Sequence, residues 1–432
     1  MLNFIIGRNN SGKTEKIRAL IAERASENKK CILIVPEQFS FESERSILEK
    51  IGAQKMLNVD ILSFTRLAFV INEQYGKALN KTIDDGTRKV LMSLSLEALS
   101  GKLEYFKRFS SKPALLSNLL TFVTELKQCA VTPDEIAEIS GKTGNKSLGK
   151  KLSELSLIAA SYDALVSRSF FDDENLLTIA ADMISETDFF DGKAVYFDAF
   201  CGFTKQERNC IKSILPKAEN VFISLCTDRD LSREGVSVFE NVNSEFSHLK
   251  KCAAEQNVGV SSPEILNVKE DGRSPELVYL EKYLCGEESE PYKEECDNIV
   301  VCAAGNRADE ADFVACEIKK LLRCNPTLRC RNIAVIERTA GTYDKELSES
   351  FKKYGVPMFE DKRRPIGIQP VMVFVKCLLA LCAEGFSTES FMRLLKTGLT
   401  ALSGDEISEL ENYAFLWLSL IHISEPTRPE PI

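Results

Sequence analysis

The stretch Gly7-Arg8-Asn9-Asn10-Ser11-Gly12-Lys13-Thr14 constrains this chain more than any other. It reads G-x-x-x-x-G-K-T, the phosphate-loop pattern. Residues 2–6 before it, L-N-F-I-I, form an apolar run suited to a strand buried in a parallel sheet. After it, Ile17, Leu20 and Ile21 recur at helical spacing. Strand, loop and helix together give the motif its mechanical meaning. Gly7 and Gly12 let the backbone turn and aim amides at phosphate oxygens. Lys13 reaches the β- and γ-phosphates, Thr14 takes a Mg²⁺, and the helix N-terminus favours the anion. Arg8, Asn9, Asn10 and Ser11 complete the cradle. The expected ligands are ATP and Mg²⁺.

Further apolar runs at 31–35, Val59–Leu62, Ala194–Phe197 and 221–224 predict more strands, and helical patterns fall between them. The fold class is α/β, with parallel strands whose carboxyl ends collect the ligands. Residues 84–191 break the alternation: apolar residues recur at helical spacing and no strand pattern is evident, which predicts a helical insertion. Residues 1–83 and 192–285 then make up one nucleotide-binding lobe.

The run Ala194–Phe197 ends in Asp198, placed to give the second Mg²⁺ contact of a phosphate-loop nucleotidase. Motors of the helicase class carry Asp-Glu at this point, the glutamate polarising the attacking water. This chain has Asp198-Ala199, and alanine accepts no proton. The next strand leads into Leu225-Cys226-Thr227-Asp228, with no glutamine to sense the γ-phosphate. Glu207 is the nearest carboxylate that could stand in as a base. The parts that hold ATP are present, and those that cleave it look degraded.

With 432 residues and a formal net charge of −9, the chain has room for several cores but no bulk positive field to draw it to DNA or a membrane. DNA contact has to come from local basic and aromatic groups or through a partner. No apolar run reaches the length of a membrane span. None of the 14 cysteines forms C-x-x-C, and there are only 2 histidines, so a metal cluster is not expected. Cys31, Cys226, Cys377 and Cys382 sit in apolar runs and read as reduced core residues of a cytoplasmic protein.

An acidic stretch over 286–297 precedes a second α/β texture. There "NIVVCAAGNRADEADFVACEIKKLLR" reads strand, turn, helix, and "RNIAVIERTAGTYDKELSESFKKYGVPMF" reads strand, helix, strand. Residues 297–384 are the expected start of a second lobe and 385–414 of a second helical insertion. Arg307 either reaches a γ-phosphate across a cleft or is a solvated loop arginine. Residues 415–432, ending "IHISEPTRPEPI", resemble translated sequencing-adapter sequence, and they are set aside from the fold.

The stretches "GRNNSGKT", "LIVPEQFSFESE", "VDILSFTRLAF", "VYFDAFCGFTKQE", "AAGNRADEADFVACEI" and "NIAVIERTAGTYDKELSESFKKYGVP" resemble, in order, the B subunit (AddB) of the bacterial AddAB-type ATP-dependent helicase/deoxyribonucleases. The resemblance runs from residue 1 to about 414. It implies superfamily-1 helicase-like (UvrD-like) lobes, each with a helical insertion, in a heterodimer with AddA, the motor and nuclease partner. It also implies a C-terminal nuclease domain with an iron–sulfur cluster, beyond the residues present here. In that family AddB resembles an inactivated motor that scans the 3′-ended single strand, from a double-strand end, for a recombination hotspot. The matching DNA-reading positions are Gln38, Phe64, Arg66 and Phe69; the family often has tryptophan at the last of these. For Phe64 and Phe69, base stacking and core packing both remain open. The competing readings are an active superfamily-1 motor and, less compatible with the long insertion, a small-molecule kinase.

Overall fold

Apolar runs too short for helices become the strands of one sheet: β1 (Leu2–Gly7), β2 (Cys31–Ile34), β3 (Val59–Leu62), β4 (Ala194–Phe197), β5 (Asn220–Cys226) and the short β6 (Glu264–Ile265). The structure is a computed structural model that describes residues 1–76, 83–107, 112–169, 173–227, 238–267, 273–283, 290–360 and 366–416. The strand order is β3-β2-β4-β5-β1-β6, and every neighbouring pair is parallel. Parallel neighbours need long crossovers, so helices cover both faces.

Side-chain alternation decides which helix lies on which face. Ile5, Leu33, Ile61 and Tyr196 point to one core, shared with Ile17 and Ile21 of α1 (Lys13–Ser26) and Ile47 of α2 (Ser40–Ile51). A single turn, α3 (Ala53–Met56), follows α2. Phe4, Ile6, Ile32, Ile34 and Phe197 point to the opposite core. That core is closed by Leu67 and Ile71 of α4 (Phe64–Tyr75) together with residues from helices later in the chain.

Between β3 and β4 come α5 (Asp85–Ala98), α6 (Pro113–Gln128), α7 (Pro133–Lys142), α8 (Lys146–Ser169) and α9 (Asp173–Glu186). Met92, Leu96, Leu119, Val123, Ile158 and Tyr162 give α5, α6 and α8 a core of their own. The buried Glu154 carboxylate accepts the amides of Glu104, Tyr105 and Phe106 at 2.8, 2.8 and 3.1 Å, which fixes that turn against α8. By contrast, α9 packs on the sheet through Leu176, Ala180 and Ile184. After β4 the chain adds α10 (Lys205–Ile214), α11 (Glu240–Glu255) and α12 (Pro275–Tyr283), and α10 and α11 complete the second face.

The chain divides into two units, Met1–Ile299 and Val300–Ile432. The second contains α13 (Arg307–Cys324), α14 (Asp344–Tyr354), α15 (Pro370–Glu384), α16 (Thr388–Leu395) and α17 (Gly404–Leu416). The sequence pattern predicts a strand at the start of residues 298–323 and strands at both ends of residues 331–359. Among the described residues of this unit no strand forms. Those segments carry β-type side chains but lack a hydrogen-bonded neighbour, and Val301, Ile336 and Phe359 are 93, 91 and 92% exposed. Parallel sheet therefore occurs once in the described residues, in the first unit.

The cysteine expectation holds only in part. Cys31 and Cys377 are buried, but Cys226, at the end of β5, is half-buried and Cys382 exposed, because an apolar neighbourhood in sequence does not fix where along a strand, or on which face of a helix, a residue is covered. Among the described residues no helix is long and apolar enough to cross a membrane. The 417–432 tail and Asp228 lie outside the described residues.

Candidate functional site

The phosphate loop leaves the carboxyl end of β1 and enters α1 at Lys13. Two glycines make the turn possible. Gly12 caps α1 with φ 88°, the left-handed region that side chains disfavour. A β-carbon on Gly7 would lie 2.4 Å from Ser11 Oγ and 2.8 Å from the Leu266 carbonyl, so only hydrogen fits. The Ser11 amide closes the loop on the Arg8 carbonyl at 3.3 Å. Lys13 Nζ folds over the loop and donates to the carbonyls of Gly7 and Arg8 at 2.8 and 2.7 Å. Thr14 follows in the first turn of α1. A tight glycine-built loop, a helix N-terminus and a lysine held over the loop fit a triphosphate.

Asp198 lies just past β4 and is 5% exposed. Its amide donates to the Ile34 carbonyl at 3.1 Å, and its Oδ1 accepts the Ser224 hydroxyl at 2.5 Å. Ser224 comes from β5, the strand that lies between β4 and β1. A buried carboxylate anchored by one hydroxyl retains acceptor capacity for a hard cation. Sequence reading missed Ser224, because its role depends on strand order.

Ala199, at the position where a motor has glutamate, has φ 65°. A left-handed alanine is strained by roughly 1–2 kcal/mol. The residues after it hold the strain: Phe200 and Phe203 are buried against Phe64, with ring centroids 5.5 and 6.1 Å away. Glu207, the possible substitute base, is committed elsewhere. Its carboxylate accepts the Thr204 amide at 2.7 Å in the capping box that starts α10. Thr227, at the end of β5, is fully buried and turns its hydroxyl to Asn243 Oδ1 at 2.5 Å.

The four DNA-reading candidates separate. Gln38 sits in a 3-10 turn, Glu37–Phe39, directly after β2, and is exposed. Arg66 and Phe69 lie on α4 directly after the neighbouring β3, and both are exposed. Ser63 caps α4 by accepting the Arg66 amide at 3.2 Å. A cation in the first turn of a helix works against the helix dipole, so Arg66 is not there to stabilise α4. Phe64 is the correction. It is 6% exposed and packed on Phe197, Phe200 and Phe203, which makes it part of the core. Its place in the sequence, at the first position of α4, points it into the sheet core. Phe39 and Phe41, 38 and 76% exposed, follow Gln38; exposure of an aromatic beside a strand end cannot be read from its type.

Arg307 opens α13 in the second unit, where its guanidinium lies 5.8 Å from the centre of the Tyr343 ring.

These features define a parallel α/β lobe with a phosphate loop at the carboxyl edge of its sheet. The family described as "ADDB, N-terminal" matches residues 4–281, and the chain belongs to that family. It is similar to the B subunit of the ATP-dependent helicase/deoxyribonuclease of Clostridium novyi (strain NT), with 32% identity over 419 residues, 96% of this chain and 37% of the relative. The B subunit of the same enzyme from Acetivibrio thermocellus is 31% identical over 421 residues, 95% of this chain and 36% of the relative. For its counterpart in Clostridioides difficile (strain 630) the identity is 30% over 423 residues, again 95 and 36%. The chain thus spans little more than a third of the length of these relatives.

Proposed function

We propose that this chain is the nucleotide-holding, DNA-reading part of an AddB protein in a two-subunit helicase–nuclease that processes double-strand DNA ends. The observation that carries the reading is the Asp198-Ala199 pair. The acid is buried and anchored by Ser224, while the next residue is a strained alanine with no proton acceptor. The strand between the phosphate-loop strand and the acid's strand supports a superfamily-1-type lobe. With ATP–Mg²⁺ bound, the loop amides and Lys13 would hold the phosphates and Thr14 and Asp198 would hold the cation, which would neutralise phosphate charge. Hydrolysis is slow for want of a base.

In this reading Gln38, Arg66 and Phe69 meet single-stranded DNA at the carboxyl ends of β2 and β3. An amide, a guanidinium and an exposed ring suit unstacked bases, by edge hydrogen bonds and stacking. An AddA partner supplies translocation, and the nuclease with its iron–sulfur cluster belongs to the remainder of a full-length AddB. The working compartment is the cytoplasm.

The test is equilibrium binding of ATP–Mg²⁺ to the chain and its Lys13→Ala variant. Loss of a charge-assisted phosphate contact weakens binding by about 1.5–3 kcal/mol. Unchanged affinity in a folded variant overturns the assignment.

A further inference from the structure

Arg8 reaches out of the phosphate loop to the last turn of α12. Its guanidinium donates to the Glu281 carbonyl at 3.2 Å and the Lys282 carbonyl at 3.5 Å, and lies 3.8 Å from the Glu281 carboxylate. The Phe239 ring supports it at 5.6 Å. The last turn of α12 is therefore fastened to the phosphate loop. Its carbonyls are the natural target for a cation, since the helix dipole is negative there.

The same turn walls a cavity of about 680 Å³, within the range that holds small ligands. Three tyrosines line it. Tyr279 lies 4.5 Å from Tyr283 and 5.0 Å from Tyr292 between ring centroids, and all three are half-buried. The Lys282 ammonium sits 5.0 Å from the Tyr283 ring centre. The Tyr279 hydroxyl donates to the Glu290 carbonyl, which leaves its ring as wall. Glu290 and Glu294 add carboxylate acceptors.

We infer that this tyrosine cavity receives the purine base of the nucleotide whose phosphates the Gly7–Thr14 loop holds. The two sites are linked: Arg8 belongs to the phosphate cradle, Lys282 lines the cavity, and the Arg8 guanidinium donates to the Lys282 backbone carbonyl. Aromatic faces bind a base by stacking, and carboxylates accept from an exocyclic amine. Arg8 then acts as a positioning residue, holding the base wall at a fixed reach from the phosphates. The inference rests on the nucleotide-binding reading of the loop, and the experiment separates the two.

ATP and inorganic tripolyphosphate are titrated, each with Mg²⁺, against the 432-residue chain. The phosphate loop accounts for both ligands and the cavity only for ATP. The expected result is that ATP binds about tenfold or more tighter than tripolyphosphate, and that Tyr283→Ala lowers this ratio by about tenfold. Tyr283→Trp, which restores a larger ring, keeps the ratio high. Arg8→Gln lowers it as the wall loosens. Lys13→Ala weakens both ligands together, so loss of tripolyphosphate binding reports on the loop alone. Equal affinity for the two ligands in the unaltered chain overturns the base site while leaving the phosphate site standing. A ratio unmoved in folded Tyr283→Ala and Tyr279→Ala overturns it as well. If neither ligand binds, the underlying reading fails.

Discussion

The Ser224 hydroxyl donates to Asp198 Oδ1 at 2.5 Å, across from the strand beside the phosphate loop to the acid at the tip of the next strand. Both residues are buried. Ser224→Ala leaves a carboxylate oxygen without its donor, at a cost of about 1–3 kcal/mol. Urea unfolding reads that loss. If Asp198 contacts the cation as proposed, the same variant should weaken ATP binding in Mg²⁺ more than in chelator.

Gly7 has no room for a methyl group. Gly7→Ala places a β-carbon 2.4 Å from Ser11 Oγ and 2.8 Å from a backbone carbonyl, so the loop has to open. Nucleotide affinity should fall at least as far as in Lys13→Ala. Near-normal affinity in Gly7→Ala contradicts this loop geometry.

Phe64 and Phe69 should part company under alanine substitution. Phe64→Ala empties a buried ring site and costs about 3–5 kcal/mol. Phe69 is 44% exposed, so its truncation should change stability by no more than about 0.5 kcal/mol. In a reconstituted two-subunit complex, Phe69→Ala, Arg66→Ala and Gln38→Ala should reduce sequence-dependent pausing on DNA. If all three pause as the unaltered complex does, that surface does not read the strand.

Burial pushes the Cys31 thiol up to about 11, and Cys210 in the same direction. Iodoacetamide at about pH 8 should label exposed Cys129 and Cys201 and spare these two until the chain unfolds. A raised thiol pKa means the unfolded chain loses its proton first. Stability from this source is complete below the ordinary value of 9.0 and declines as pH rises toward about 11. Cys31→Ala should flatten that decline, measured by denaturant midpoints across the range.

Five strands were legible because each is a short apolar run ended by Pro36, Ser63, Asp198 or a polar turn. The sixth, Glu264–Ile265, was not, since two residues carry no period and its pairing depends on β1. The helical stretch before β4 could be read, but not that the buried residues of α9 join the core on the sheet and not the separate core of α5, α6 and α8. The phosphate loop and Asp198 were visible as motifs. Ser224, the strained φ of Ala199 and the Arg8 link to α12 depend on strand order and long-range contact, which local pattern does not contain. Phe64 could not be placed for the same reason: next to a strand end, an aromatic can face either the core or the ligand.

The central claim is that the chain holds ATP without turning it over at a motor's rate. The direct measurement is phosphate release from ATP–Mg²⁺ by purified chain with single-stranded DNA, alongside nucleotide binding in the same preparation. Saturable binding with turnover no greater than that of Lys13→Ala is the predicted result. Turnover at about 1 s⁻¹ or faster, the ordinary range of enzymes, and abolished by Lys13→Ala, contradicts the account. It would mean that a base other than residue 199 serves the site and that the chain is an active motor.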